Sequence, residues 1–195
     1  MRCVSFHTPQ YRQAAELLQA DCRGLGLDLM SMSFDAFENW MQATRFKACF
    51  LLSCLLTVDE DLCWIDADAR VRKLPKILMD PKLSETYDLA CVFFRDKELL
   101  SGTLWLARNP TTFKIVRRWV DLNQNPDNAR FIEQRNLQVA LLDFPEARIL
   151  RLPPEYAFIF DLSRKYTAGI EPVIEHFQMS RVIRKLEKLN RTGRV

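Results

Sequence analysis

The sequence predicts an α/β fold in one domain, and three observations carry that expectation. Short apolar runs alternate with stretches of helical periodicity through the first seventy residues. The third of those runs breaks off abruptly into carboxylates. A length of 195 residues with 48% apolar content supplies enough material for one sizeable core.

Residues 3–6 read as the first short strand. Tyr11, Ala14, Ala15, Leu18 and Cys22 recur at helical spacing, and Gly24 and Gly26 punctuate the helix end. Leu27, Leu29 and Met30 restart an extended segment, and residues 40–56 are apolar and long enough for a second helix. Leu62-Cys63-Trp64-Ile65 is the third strand, and it runs into Asp66-Ala67-Asp68-Ala69-Arg70. The carboxyl end of a strand is where open α/β sheets bind ligands. Leu74-Pro75 opens a short helix through residue 79, followed by strands over 89–94 and, after the turn at Ser101-Gly102, over 103–107. Asn109-Pro110 starts a helix with Phe113, Val116, Trp119 and Val120 on one face, and another helix spans 132–142. Strands over 148–152, 158–160 and 173–176 and a last helix complete the chain.

Composition excludes several classes. Charged residues make up 27%, so the chain is not disordered, and no uninterrupted apolar run reaches the roughly 18 residues that span a bilayer. No membrane partner is expected, and the first residues turn polar too early for a secretory leader. The six cysteines form no Cys-x-x-Cys pair and sit among apolar neighbours, which points to core thiols in a reducing cytoplasm, that of a host if the chain is phage-encoded. With only five glycines there is no G-x-G-x-x-G, no P-loop and no G-x-S-x-G elbow. Net charge is +3, but residues 181–194 hold Arg181, Arg184, Lys185, Lys188, Arg191 and Arg194 against Glu187 alone. That segment is either the solvated face of a terminal helix or a phosphate-binding surface.

Two carboxylates one residue apart at a strand end can reach one divalent cation if the backbone bends there, and hard oxygen ligands suit Mg²⁺ or Mn²⁺. Such a cation would bridge a diphosphate and neutralise charge on a leaving group. D-x-D is also common as a turn pair, and aspartyl-phosphate hydrolases place Asp-x-Asp after an apolar strand, with Asp66 then the nucleophile and Asp68 the acid/base. Those enzymes carry the motif on the first strand with Thr or Val two residues on, whereas two βα units precede it here and Arg70 stands in that place. A third reading, from a different class, is a non-enzymatic nucleic-acid-binding module using the basic C-terminal segment.

The motifs nonetheless resemble, in order and over nearly the whole chain, those of small bacterial and phage-type nucleotide-diphospho-sugar transferases of the GT-A fold. Trp64-Ile65-Asp66-Ala67-Asp68-Ala69-Arg70 is similar to that family's D-x-D, Leu100-Ser101-Gly102-Thr103-Leu104-Trp105 to its S/N-x-G strand, and Glu133-Gln134-x-x-Leu137 to its D/E-Q-x-x-L helix. Leu152-Pro153-Pro154-Glu155-Tyr156 and Ile174-Glu175-His176-Phe177-Gln178-x-Ser180-Arg181 resemble its final loop and closing histidine segment. The resemblance implies a Rossmann-like mixed central sheet flanked by helices. It divides residues 1–195 into a nucleotide-binding half (1–70), an acceptor and sugar half (71–180) and a basic tail (181–195). It further implies a hexosyltransferase that takes a sugar from a nucleotide-sugar donor, a UDP-sugar such as UDP-glucose being favoured, with Mn²⁺ or Mg²⁺ as cofactor.

Position by position, the resemblance implies Asp66, Asp68 and His176 as metal ligands, His176 being otherwise a structural imidazole. Thr8 and Tyr11 follow the first strand, where the fold cradles base and ribose; Tyr11 either stacks on the base or opens the first helix's apolar face. Arg45 and Lys47 match basic positions near the donor phosphates or are snorkelling surface charges. Ala67, Ser101, Gly102 and Thr103 are donor-side positions, with Gly102 lacking a side chain that would obstruct the sugar. Glu133 is the candidate base for an inverting transfer, or a helix-start acid; Gln134 would sit beneath the anomeric carbon in a retaining one. Arg181 is a candidate diphosphate clamp. Phage-type relatives suggest a hydroxymethylated base in DNA as acceptor.

Overall fold

The computed structural model describes residues 1–35, 37–162, 169–181 and 185 of the chain. Four segments build the amino-terminal half: β1 (Arg2–His7), α1 (Arg12–Gly24), β2 (Leu29–Ser33) and α2 (Trp40–Thr57), followed by β3 (Leu62–Ile65) and the short β4 (Ala69–Val71). Beyond the one-turn α3 (Leu83–Thr86) come β5 (Leu89–Phe94), β6 (Glu98–Leu106), α4 (Pro110–Gln124), α5 (Glu133–Leu142), β7 (Ile149–Leu152), β8 (Phe158–Ile159) and β9 (Ile174–His176). The main sheet runs β2-β1-β3-β6-β5-β7. It is mixed: β1 lies parallel to β2 and β3, whereas β6 is antiparallel to both β3 and β5. A second sheet, β4-β9-β8, stands beside it.

Strand periodicity explains how the sheet is clothed on both faces. Val4, Trp64 and Leu104 point to one side and pack with α2, α4 and α5, while Cys3, Cys63 and Trp105 point to the other and pack with α1 and the small sheet. All four residues of β3 are buried, which is why that strand reads as an unbroken apolar run. Phe6 anchors α2 to the sheet through ring contacts with Phe46, Phe50 and Trp64, at centroid separations of 5.5, 5.3 and 5.4 Å. Asn39 and Asn109 cap α2 and α4 by accepting hydrogen bonds from the backbone N–H groups of Gln42 and Thr112, and Pro110 takes the first-turn position that has no helical partner for an N–H.

Two expectations change. The strand expected after a turn at Ser101-Gly102 instead begins at Glu98 and runs through both residues, because the chain reverses at 95–97, where Lys97 N–H closes on the Phe94 carbonyl. Residues 74–79 form successive turns rather than a helix, because Pro75 and Pro81 bracket the segment and leave too few residues to nucleate one. Beyond Asp68, a stretch to which the sequence assigned no element, Ala69–Val71 pairs antiparallel with β9, setting Ala69 opposite His176. All six cysteines are free thiols, and no helix among the described residues is long and apolar enough to cross a membrane.

Asp88, buried at the start of β5, is the polar junction of this half. It accepts hydrogen bonds from the Arg148 backbone N–H and guanidinium and from the Asn109 amide, three of them at 2.8 Å. The Arg148 guanidinium, more than offsetting burial, holds the Asp88 carboxyl below its ordinary 3.8. A folded-state pKa below the unfolded one gives stability that is present above pH 3.8 and is lost as pH falls through the folded value. Because Arg148 is half exposed, Asp88→Asn is expected to cost only about 2 kcal/mol near neutrality. Urea unfolding of both proteins should show the gap closing towards pH 3; a gap independent of pH would refute the ionic contribution.

Candidate active site

The site is assembled where β3 ends. Its backbone bends after Ile65: Asp66 N–H donates to the Gly102 carbonyl at 2.9 Å and Ala69 N–H closes back on the Asp66 carbonyl at 2.9 Å. This turn sends both carboxylates to the same side. The pairing of β4 with β9 then delivers His176, so that one ligating atom each from Asp66, Asp68 and His176 lie within 4.8 Å of one another. Gly102 faces them from β6. A Cβ there would stand 2.9 Å from His176 Nδ1 and 3.2 Å from Asp66 Oδ2, so only glycine permits the approach.

Electrostatics suit this cluster to a cation. Burial, reinforced by the neighbouring Asp66, pushes the Asp68 carboxyl up to about 6, even though its Oδ2 accepts a 2.8 Å hydrogen bond from Met179 N–H. Burial drives the His176 imidazole down to about 4, leaving it neutral, the form that ligates metals. Its Nε2 meets the Thr103 hydroxyl at 3.0 Å, while Nδ1 lies on the Gly102 side. Two carboxylates that repel one another, a neutral imidazole and a glycine cradle fit a divalent cation such as Mn²⁺ or Mg²⁺.

Behind the carboxylates lies a buried charge cluster. The Lys47 ammonium, 5% exposed, touches Asp66 Oδ1 and Glu133 Oε1, each at 2.9 Å. It also donates to the Ser101 carbonyl at 3.2 Å and stands 5.1 Å from the centre of the Trp64 ring. Burial would lower its pKa, but Asp66 and Glu133 more than reverse this and hold it above the ordinary lysine value. Burial raises the Glu133 carboxyl against the opposing pull of Lys47 and Ser101. Ser101 Oγ donates to Glu133 Oε1 at 2.7 Å, and Glu133 Oε2 is buried without a hydrogen-bond partner. Trp64 Nε1, donating to Asp66 Oδ1 at 2.8 Å, completes the support of the first aspartate.

These groups line a cavity of about 390 Å³. Thr8, Tyr11, Lys47, Asp66, Ala67, Asp68, Ser101, Gly102, Glu133, Gln134, His176 and Arg181 all reach its wall, so one cavity gathers most of the residues singled out from the sequence. Two are placed elsewhere. The Arg45 guanidinium turns away to the backbone carbonyls of Asn123, Asn128 and Phe131, where it ties down the α4–α5 connection, and it does not line the cavity. Thr103 is fully buried behind His176. Arg181 pairs with Asp161 at the rim. Glu98 and Phe94 on the opposite wall carried no sequence signal: an acid and an aromatic at a hairpin are ordinary residues until the fold brings them beside Gln134.

No family model and no curated protein matches the sequence. In three dimensions the chain is similar to solved glycosyltransferases. A glycosyltransferase involved in glycosylation of the major capsid of PBCV-1 shares a TM-score of 0.66 at 15% identity, over 96% of this chain and 98% of that one. GlyE of Streptococcus pneumoniae TIGR4 has a TM-score of 0.64 at 16% identity; 90% of this chain matches 54% of the longer GlyE. The galactosyltransferase LgtC, solved with donor and acceptor sugar analogues, has a TM-score of 0.58 at 13% identity, over 91% of this chain and 87% of that one. A mixed sheet that ends β3 in Asp-x-Asp, with helices on both faces, is therefore the GT-A glycosyltransferase fold.

Proposed function

We propose that the chain is a metal-dependent glycosyltransferase that moves a sugar from a nucleotide-diphosphate donor, a UDP-sugar being favoured, to an acceptor hydroxyl. The observation that carries this reading is the convergence of Asp66, Asp68 and His176 around Gly102 in the main cavity of a GT-A fold. That LgtC was solved with donor and acceptor sugar analogues agrees with it.

In this reading residues 1–70 hold the nucleotide, with Thr8 and Tyr11 beside base and ribose. Asp66, Asp68 and His176 would hold Mn²⁺ or Mg²⁺, which when bound neutralises charge on the diphosphate. Arg181, paired with Asp161 at the rim, would exchange that partner for the phosphates, and Gly102, whose missing side chain gives His176 and Asp66 their room, would keep the cation site compact. Lys47 fixes Asp66 from behind rather than reaching the phosphates, since its ammonium is already shared by two carboxylates. Glu133 is poorly placed as a base, because one oxygen is held by Lys47 and Ser101 and the other is sealed from solvent. Gln134 is better placed beneath the anomeric carbon: it lies on the cavity wall with its amide fixed by Ser101 N–H at 3.1 Å and Glu98 at 2.9 Å. The DNA acceptor draws on the basic segment and its expected last helix, of which residues 182–184 and 186–195 lie outside the described residues, while Arg181 at the cavity pairs with Asp161.

Calorimetric titration of UDP-glucose with and without Mn²⁺ tests the reading. Wild type should bind in a Mn²⁺-dependent manner, and Asp68→Ala should weaken binding by about 100-fold or more. Wild type that ignores nucleotide-sugars, or binds them equally without a cation, would sink the proposal; hydrolysis of simple phosphate esters that Asp66→Asn abolishes would favour the phosphohydrolase.

A further inference from the structure

A second recess lies beside the first. It measures about 250 Å³, is lined by Lys97, Glu98, Ile132, Gln134, Arg135 and Gln138, and shares Glu98, Ile132 and Gln134 with the main cavity. The two therefore share a wall at Gln134, the side chain read above as lying at the reacting carbon.

Its walls are braced. Gln134 Nε2 donates to Glu98 Oε1 at 2.9 Å and Gln138 Nε2 donates to the Lys97 carbonyl at 2.8 Å, stitching the first turns of α5 to the β5–β6 hairpin. That hairpin turns tightly through Arg95 and Asp96, both at positive φ (51° and 59°), a geometry that follows the strands' own twist. Two cations stand at the recess: Lys97 and Arg135 are exposed, and among the described residues neither the ammonium nor the guanidinium has an ion pair or hydrogen bond. Two uncommitted cations, one carboxylate and two amides make a wall that suits hydroxyls together with one negative charge. The volume falls below the roughly 300–1,000 Å³ of sites for drug-sized ligands, so it suits a single ring rather than a duplex.

We infer that this recess is the acceptor subsite, and that it takes a saccharide ring carrying an anionic group, carboxylate or phosphate. The inference rests on the transferase reading above. In the transfer, the bond between the anomeric carbon and the diphosphate oxygen breaks with its electron pair leaving on the nucleotide diphosphate. An acceptor oxygen bonds to that carbon, and its proton passes to the departing diphosphate. Lys97 and Arg135 act only in holding the acceptor's charge.

Transfer from UDP-glucose with Mn²⁺ to methyl glucuronide, glucose 6-phosphate and methyl glucoside tests this, read as the ratio of kcat/KM for charged over neutral acceptors. Wild type should favour one or both charged acceptors by about tenfold, and the two charged arms show whether carboxylate or phosphate is meant. The double variant Lys97→Ala, Arg135→Ala should bring that ratio down about tenfold, the neutral acceptor reporting on folding. Lys114→Ala, an exposed cation on α4, should keep it. Equal use of charged and neutral sugars, no use of any, a ratio unmoved by the double variant, or transfer only to DNA containing hydroxymethylcytosine would each overturn the subsite. Failure of UDP-glucose to bind in calorimetry overturns the transferase reading itself, so the two failures are distinguishable.

Discussion

Replacing Lys47 by methionine is expected to destabilise the fold by about 3–5 kcal/mol, the cost of removing one partner from a buried charge cluster. Methionine matches the length of the lysine stem but leaves Asp66 and Glu133 facing one another, Glu133 deep in the interior, with no cation between them. Glu133 is already raised above its ordinary 4.5 by burial, and losing Lys47 raises it further. An acid whose folded pKa lies above its unfolded one holds a proton in the native state that the unfolded chain releases. Stability therefore falls as pH climbs above 4.5, until the folded group ionises as well. Chemical unfolding of Lys47→Met between pH 5 and pH 8 should show that decline more steeply than wild type. Lys47→Arg keeps the charge and should recover much of the loss. Unchanged stability in Lys47→Met would mean that Asp66 and Glu133 do not depend on this ammonium.

Gly102→Ala should do the reverse, sparing much of the fold while disabling the site. The new methyl would meet His176 Cε1 at 2.7 Å and Nδ1 at 2.9 Å, closer than such atoms approach, and Asp66 Oδ2 at 3.2 Å. His176 is pinned from behind by Thr103 and cannot simply retreat. The overpacking cost is about 1–3 kcal/mol, whereas a displacement of a ligand by a fraction of an ångström is expected to lower donor turnover by about 100-fold. Thermal melts combined with Mn²⁺ titration separate the two effects. A variant with wild-type Mn²⁺ affinity and turnover would show that the imidazole and the first aspartate are not jointly required.

The sequence made most of the main sheet and the first two proposed ligands legible for a physical reason. A strand buried on both faces must be continuously apolar, so the switch at Asp66 marks where it leaves the core. Leu89–Phe94 and Glu133–Leu142 were visible on the same grounds of apolar runs and periodicity. Other features depend on contacts between distant segments, which periodicity does not encode. Ala69–Val71 is too short to carry a strand pattern and becomes one only because β9 returns to it. Lys47 and Arg45 sit two residues apart on α2 and look equivalent as basic side chains, yet one enters the charge cluster and the other caps carbonyls of the α4–α5 connection. A buried lysine is legible only once its two carboxylates have been located.

The pairing of Ala69 with His176 joins segments far apart in the sequence at the place where the cation would bind. Two of the proposed ligands follow β3 and the third stands on β9, so the proposed set is complete only when β9 has docked against β4. Whatever ion then loads must favour the docked arrangement by the same factor that docking raises its affinity. With the proposed cation, coordination and docking of β9 become one equilibrium, and a chelator would loosen β9 as well as empty the site.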